Sequence, residues 1–254
     1  MQLEAKITKP MRILVIAAHP DDIEFGLAGS VAVWTDAGAQ VSYCLITDGA
    51  AGSNEKDVDY KQLAARRKEE QLAAAKVVGV TDVHFLDYAD GVLEATLDLR
   101  RDLTRLIRQL RPDRVVIMDP TMTVASSDDG SNAYINHPDH RAGAEAALYA
   151  VFPSAESRPI FRELLDEGLE PHHVNELYMQ FTEKPNIAVD ISAVHNRKIE
   201  SLLHHRSQIG EEAADFVSKF DAEAGKEAGV EFAETFRAMR FYNEQQEAKA
   251  DPAD

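Results

Sequence analysis

The amino-acid sequence predicts an α/β fold in which a mainly parallel sheet carries helices on both faces. Short apolar runs typical of buried strands alternate with longer amphipathic segments, at the spacing of right-handed βαβ units. Polar residues follow several of these apolar runs, as expected where the carboxyl ends of parallel strands form a ligand-binding edge. A chain of 254 residues is long enough to bury a full core in one such domain.

Composition limits the classes of function. The formal net charge of -17 argues against sequence-independent binding to nucleic acid or to anionic membranes. The single cysteine, Cys44, lies in an apolar run, so we expect it to be buried, and it excludes an intramolecular disulfide and a thiolate zinc cluster. Residues 1–6 lack the apolar core of a signal peptide, and no apolar run approaches the ~20 residues of a membrane span. We therefore predict a cytoplasmic protein without a membrane span.

The first predicted strand, Ile13–Ala17, leads directly into a His-Pro-Asp-Asp run at 19–22. His19 and Asp22 are three residues apart, so in a first helical turn they lie on one face. An imidazole and a carboxylate that converge in this way are typical ligands of a divalent metal. The leading hypothesis is therefore a metal-dependent hydrolase.

A structural alternative exists for the carboxylates of this motif. Asp21 and Glu24 have the spacing of a helix capping box, and acidic residues are favoured in a first helical turn. Capping does not account for His19, however, so the metal hypothesis stays ahead of it. The same turn lacks a Gly-x-Gly-x-x-Gly phosphate cradle, which argues against a nicotinamide or flavin cofactor.

The remaining elements follow in chain order from apolar periodicity and from glycine and proline stops. Helices are predicted at Gly26–Ala37, Tyr60–Val78, Leu97–Leu110, Ala142–Val151 and Ser192–His205, and strands at Val41–Ile46, Val83–Leu86 and Arg114–Met118. Val174–Phe181 and Ile187–Val189 are interpreted as antiparallel additions at the sheet edge. We expect a single domain over residues 1–254, with a core at about 11–210 and an acidic, helical C-terminal extension.

A second histidine motif, His-Pro-Asp-His at 137–140, follows a long polar loop at 121–136. Pro138 suits a first helical position, and His137 and His140 are three apart and face the same way. Long loops in compact domains are often functional, and this one would reach the same sheet edge as His19. Four other histidines lack such neighbours and are expected in structural or surface positions: His84, His172, His173 and His195. Asp48, after the second strand, would either contact substrate or form an Asx-turn.

Together, the motifs at 18–22 and 137–140 resemble the PIG-L/LmbE-like family of zinc-dependent N-acetylglucosaminyl deacetylases. The similarity runs over about residues 11–210 and implies a Rossmann-like fold. Weaker matches along this stretch are Thr47-Asp48-Gly49, Arg67-x-x-Glu70, Asp90-Gly91, Asp190, Lys198 and His205-x-Ser207-Gln208. We expect substrate selectivity to reside in the loop 121–136 and the segment 153–171, which match no particular subfamily.

The resemblance also implies a role for each matching residue. Zn²⁺, or alternatively Fe²⁺, would be bound by His19, Asp22 and His140. Asp21 would act as general base, and His137 would stabilise the oxyanion and protonate the leaving amine. Arg67 and Asp90 would bind the substrate, and Asp139 would orient a neighbouring group.

The implied reaction removes an acetyl group from a small glucosaminyl substrate by metal-activated water and yields acetate and a free amine. An alternative keeps the metal-dependent chemistry and replaces the sugar acetamide with a non-sugar amide or acyl substrate. A non-catalytic binding module and a nucleotide-binding protein of the same fold are weaker alternatives. A serine hydrolase is disfavoured because the chain has no Gly-x-Ser-x-Gly motif. A homo-oligomer is compatible with this function.

Overall fold

The computed structural model describes residues 1–7, 9, 11–125 and 133–241. Its main feature is an eight-stranded sheet in the order β1-β9-β10-β8-β5-β2-β3-β4. The strands of this sheet are β1 Gln2–Leu3, β2 Arg12–Ala17, β3 Gln40–Thr47, β4 Asp82–Tyr88, β5 Arg114–Met118, β8 Glu176–Gln180, β9 Ile187–Asp190 and β10 Ala233–Arg240. A separate two-stranded hairpin consists of β6 Val124–Ala125 and β7 Tyr134–Ile135.

Most neighbouring strands of the sheet are parallel, which confirms the predicted fold class. β2 pairs in parallel with β3 and β5, β3 with β4, β5 with β8, and β1 with β9. Among the described strands of this eight-stranded sheet, only β10 runs antiparallel to its neighbours, which are β8 and β9. The prediction that Val174–Phe181 forms an antiparallel edge strand is wrong, because β8 runs parallel to β5 inside the sheet. An apolar run shows that a strand is buried, but it does not show which strand it pairs with.

Helices cover both faces of the sheet. They are α1 Asp22–Gly26, α2 Ala28–Asp36, α3 Tyr60–Val77, α4 Leu97–Leu110, α5 Pro138–Tyr149, α6 Glu163–Asp166, α7 His195–Leu202 and α8 Glu212–Ala228, with an irregular π-helical segment at Ala150–Ala155. The bounds of α4 match the prediction. The predicted helix Gly26–Ala37 corresponds to α2, which begins two residues later than predicted. Gly26 instead ends α1, because Leu27 between the two helices has non-helical angles of φ -151° and ψ 9°.

The apolar run of β2 contributes to both layers of the core. Val15 faces one cluster, with Val31 of α2 and Ala75 of α3, whereas Ile16 faces the other, with Leu103 of α4. Because both faces of β2 are covered, the strand is a continuous apolar run rather than an alternating one. Cys44 of β3 is buried as expected, and burial raises the pKa of its thiol to about 12.

The C-terminal part of the chain contains a strand that the sequence did not predict. α8 accords with the expected helical extension, but β10 then returns to the sheet between β8 and β9. The buried ammonium of Lys198 lies 2.8 Å from carboxylates of both Asp221 in α8 and Glu234 in β10. The Glu234 carboxylate also accepts hydrogen bonds from the backbone N–H groups of Gly29 and Ser30, which connect β10 to the start of α2.

The strand order creates a crevice beside β2. β3 and β4 lie on one side of β2, and β5 lies on the other, so the connections diverge at the carboxyl ends of β2 and β5. Such a topological switch point is where open α/β sheets bind ligands. The loops that follow these two strands carry the two histidine motifs. Residues 126–132 of the second loop, within the predicted selectivity loop, lie outside the described chain.

Candidate active site

The residue that precedes α1, Asp21, has an unusual backbone. Its φ is 98°, in the left-handed region, and its side chain makes no capping hydrogen bond to α1. Glu24 is fully buried and contacts Gln71 and His205 instead of the N-terminal N–H groups. The capping-box alternative is therefore wrong, and both carboxylates are available for other roles.

His19, Asp22 and His140 converge at the crevice, although their two motifs are far apart in the chain. One nitrogen or oxygen of each residue lies within 4.8 Å of the others. Nδ1 of His19 is 3.4 Å from Oδ2 of Asp22, and Nε2 of His140 is 3.1 Å from Oδ1 of the same carboxylate. Two imidazoles and a carboxylate form a donor set that suits a divalent transition metal such as zinc.

The hydrogen bonds of His140 indicate which of its nitrogens faces the cluster with a lone pair. The amide nitrogen of Asn136 donates to the carbonyl of Met122, so the amide oxygen points toward Nδ1 of His140 at 3.0 Å. An amide oxygen only accepts, so Nδ1 carries the proton. Nε2 then presents a lone pair toward the acidic Asp22, and two acceptors 3.1 Å apart require a cation or a proton between them.

His19 is oriented in a similar way by carboxylates on its far side. Its Nε2 lies 3.0 Å from Asp90 and 3.3 Å from Asp139, which leaves Nδ1 toward Asp22. Asp139 is fully buried, and its oxygens also accept the backbone N–H groups of Gly91 and Leu93. A carboxylate behind a ligating histidine is the usual support of a metal site.

Electrostatics make this cluster attractive to positive charge. Burial lowers the pKa of His19, but Asp22 and hydrogen bonds to Asp139 and Asp90 outweigh burial and raise that pKa to about 12. Burial acts to raise the pKa of Asp22, yet His140 and His19 outweigh it and hold the pKa well below its usual value. A cation bound here would take the place of the proton on His19, since metal binding requires neutral imidazoles.

Asp21 lies next to the cluster, and its carboxyl group has a raised pKa. Burial and the neighbouring Asp22 raise the pKa of Asp21 to about 7, against the opposing effect of Arg67. Nη2 of Arg67 is 3.1 Å from Oδ2 of Asp21. A carboxylate with a pKa close to neutrality is suited to act as a general base.

Arg67 and Asp90 both reach the site and are largely enclosed by protein. The Arg67 guanidinium donates to the carbonyls of Pro20 and Gly49 and is only 5% exposed. Asp90 accepts the backbone N–H of Ala51 in the same glycine-rich loop. Arg67 therefore joins the first motif to the loop that follows β3.

His137 is the most exposed histidine of the site, with 42% of its side chain accessible. It caps α5, because its Nδ1 accepts the backbone N–H of Asp139 at 3.2 Å. Its ring centroid is 4.9 Å from that of His19 and 5.3 Å from that of His140. Burial and the nearby His19 lower the pKa of His137.

The other candidates lie away from this cluster. His172, His173, His195 and His84 contact Pro112, Glu156, Asp221 and Asp82 respectively, as expected for structural or surface positions. Asp48 forms the Asx-turn, since its Oδ1 accepts the backbone N–H of Ala50. Sequence reasoning missed two residues that orient the site, Asn136 and Gln71. Their spacing was a usable signal, because Asn136 is four residues before His140 and Gln71 is four residues after Arg67.

The fold and the cluster define an α/β protein with a metal-hydrolase type of site at its switch point. A family model described as PIG-L, GlcNAc-PI de-N-acetylase, matches residues 14–151, and the chain belongs to this family.

The similarity extends over nearly the whole chain. Diacetylchitobiose deacetylase of Thermococcus kodakarensis is 34% identical, over 93% of this chain and 87% of the relative. The probable N-acetyl-alpha-D-glucosaminyl L-malate deacetylase 2 of Bacillus anthracis is 26% identical, over 82% of this chain and 86% of the Bacillus protein. The solved structure of N,N'-diacetylchitobiose deacetylase from Pyrococcus horikoshii with its inhibitor MPG superposes with a TM-score of 0.84, at 30% identity. That superposition covers 94% of this chain and 87% of the other.

Proposed function

We propose that this protein is a zinc-dependent N-deacetylase that removes the acetyl group from a small molecule containing N-acetylglucosamine. The observation that carries the proposal is the His19, Asp22 and His140 donor set, with the Asp21 carboxylate beside it. The relatives' names support the substrate class, since they describe deacetylases of chitobiose and of a glucosaminyl malate. Fe²⁺ is the alternative ion, because a His/Asp donor set also suits iron.

In the proposed mechanism, His19, Asp22 and His140 would hold the cation. The cation would supply a Lewis acid for the attacking water and for the amide carbonyl. Asp21 accepts a proton from the attacking water as the C–O bond forms. Its place beside the proposed ligand Asp22, at the crevice, puts it within reach of that water.

His137 is assigned to the second half of the reaction. It is partly exposed above His19 and His140, where a substrate carbonyl would approach. Because its Nδ1 accepts the Asp139 N–H, the proton of His137 is on Nε2, from which it would donate to the developing oxyanion. A contact of this type supplies about 3 to 4 kcal/mol in other enzymes. His137 then transfers its proton to the amine as the C–N bond breaks, which releases acetate and a free amine.

Arg67 and Asp90 are assigned to the substrate side of the site. The support for this assignment is their position, 3.1 Å from Asp21 and 3.0 Å from His19 respectively. Both also contact the loop at 49–51, so they shape the wall against which a sugar would lie.

We also propose that residues 1–254 form one domain. In support, β1 near the N-terminus and β10 near the C-terminus belong to the same eight-stranded sheet. Within the described chain, no helix is both long and apolar enough to cross a membrane. The cytoplasmic location and the homo-oligomer stay predictions.

The test is an acetate-release assay across N-acetylglucosamine conjugates and matched non-sugar acetamides. Acetate should be released from the sugar substrates, be abolished by a strong chelator, and return when Zn²⁺ or Fe²⁺ is added back. Metal analysis of the purified protein should find about one transition-metal ion per chain. Activity that survives complete removal of metal would overturn the proposal, and preference for the non-sugar acetamides would overturn its substrate class.

A further inference from the structure

One peptide unit of the first motif is held from both ends by α3. The carbonyl of Pro20 accepts a hydrogen bond from Nη2 of Arg67 at 2.7 Å. The N–H of Asp21, at the other end of the same peptide group, donates to Oε1 of Gln71 at 3.1 Å. Arg67 and Gln71 are one helical turn apart, so both side chains reach the same side of α3.

The Asp21 backbone needs such support. A non-glycine residue with φ 98° is in a sparsely populated backbone region, which is unfavourable and persists only where the surroundings impose it. The orientation of the Pro20–Asp21 peptide also determines where the Asp21 carboxylate points relative to Asp22 and the cation position. The two hydrogen bonds from α3 therefore act on the direction of the proposed general base.

Gln71 is itself oriented by a buried acidic residue. Its amide nitrogen donates to Oε1 of Glu24 at 3.0 Å, so its amide oxygen must face Asp21. The other oxygen of Glu24, Oε2, is 3.0 Å from Nε2 of His205, a contact between residues 181 apart in the chain. Gln71, Glu24 and His205 are all fully buried, so each unpaired polar atom here would be costly.

We infer that Gln71, Glu24 and His205 form a positioning relay that sets the Asp21 peptide, and hence its carboxylate, for proton transfer. The inference rests on the proposed function, because it requires Asp21 to be the general base. In this relay the Glu24 carboxylate accepts hydrogen bonds from Nε2 of His205 and from the amide nitrogen of Gln71. The amide oxygen of Gln71 in turn accepts the hydrogen bond from the backbone N–H of Asp21. None of the three touches the cation ligands through its side chain, so their removal should act on turnover rather than on metal binding.

The first experiment replaces the amide by an apolar side chain of similar length, Gln71→Met. We expect kcat to fall about 10- to 100-fold, as for a small misplacement of a catalytic group, with KM and zinc affinity nearly unchanged. The matched control is Gln62→Met, on the exposed side of the same helix, which should leave kcat unchanged. Both variants are measured as purified full-length protein with metal content determined.

The second experiment exchanges the two polar residues of the relay. Gln71→Glu alone places two carboxylates together and should lower kcat. In the double variant Gln71→Glu with Glu24→Gln, Glu at 71 can still accept from Asp21, and Gln at 24 can donate to it and accept from His205. The double variant should therefore recover kcat relative to Gln71→Glu alone. If Gln71→Met does not fold, the comparison of Gln71→Glu with the double variant still tests the relay.

A cycle with Asp21→Asn separates the inference from the proposed function. If Gln71 acts through Asp21, Gln71→Met should reduce the residual kcat of Asp21→Asn little further. Full activity of Asp21→Asn would overturn the general-base role of Asp21 and the relay with it, whereas the proposed function itself fails if the native protein releases no acetate. Three results would overturn the relay alone, provided that Asp21→Asn is inactive. One is an unchanged kcat in Gln71→Met, and another is an equal loss of kcat from Gln71→Met in the native and Asp21→Asn proteins. The third is no recovery of kcat in the double variant Gln71→Glu with Glu24→Gln.

Discussion

The amide oxygen of Asn136 lies 3.0 Å from Nδ1 of His140, and this contact determines which nitrogen of His140 faces Asp22. Asn136 cannot rotate its amide without losing the hydrogen bond from its nitrogen to the Met122 carbonyl. It is 5% exposed, so solvent does not offer an easy replacement for either partner. Asn136 therefore keeps the Nε2 lone pair of His140 directed toward the proposed cation.

Asn136→Ala should weaken zinc binding about 10- to 100-fold, the usual effect of removing a residue that orients a ligating histidine. Asn136→Asp keeps an acceptor for Nδ1 of His140 and should retain most of the affinity. The measurement is competition with a chelator of known zinc affinity. The control is Asn196→Ala at an exposed position, and equal affinity in Asn136→Ala and this control would contradict the prediction.

Asp139→Asn should lower both stability and zinc affinity. The Asp139 carboxylate accepts from Gly91, Leu93 and His19, and an amide offers only one oxygen to these three donors. We expect a loss of about 1 to 3 kcal/mol in the free energy of unfolding, from a buried donor left without a partner. Urea unfolding and the chelator competition measure the two effects. Glu145→Gln, an exposed change on the same helix, is the control, and equal unfolding midpoints would count against the assignment.

Arg67→Lys should reduce kcat/KM at least about tenfold, although the charge is kept. The guanidinium contacts the carbonyls of Pro20 and Gly49 and the Asp21 carboxylate together, and an ammonium cannot reproduce this planar arrangement. The neighbouring Arg66 provides a matched control, because its side chain is 59% exposed. Arg66→Lys should leave kcat/KM unchanged. If Arg67→Lys and Arg66→Lys have the same kcat/KM, the proposed role of Arg67 at the substrate side of the site is wrong.

The buried cluster of Asp221, Lys198 and Glu234 should make stability depend on pH. Burial raises the pKa of Asp221 to about 7, although Lys198 opposes the shift. The folded protein then holds a proton that the unfolded chain releases near pH 4. Stability from this group is therefore present at low pH and is lost as the pH rises from about 4 through 7.

Urea unfolding of the native protein and of Asp221→Asn at pH 5 and pH 8 measures this effect. Asn resembles the protonated carboxyl group, so the native protein should lose more stability than the variant between the two pH values. His195 lies 3.3 Å from Asp221, so the difference between the two proteins includes any change in the titration of His195 as well as that of Asp221. Parallel pH profiles for the two proteins would show that Asp221 is ionised at pH 5.

Local signals in the sequence were enough to predict the sheet class and to place the two histidine motifs at one edge of the sheet, whereas the choice of His19, Asp22 and His140 as ligands came from the family resemblance. The apolar run of β2, the matching bounds of α4 and β5, and Pro138 at a helix start each depend on residues close together in the chain. His19 and His140 could be assigned to one site because parallel strands bring the loops at their carboxyl ends to one edge. Their roles in binding the cation stay predictions.

Other features were decided only by the tertiary structure. The placement of β8 beside β5, the return of β10 into the sheet and the Glu24–His205 contact all join segments distant in sequence. The left-handed backbone of Asp21 likewise depends on side chains of α3. Local residue preferences reflect the free energy of a short segment alone, whereas strand pairing and buried hydrogen bonds gain theirs from partners that only folding brings into contact.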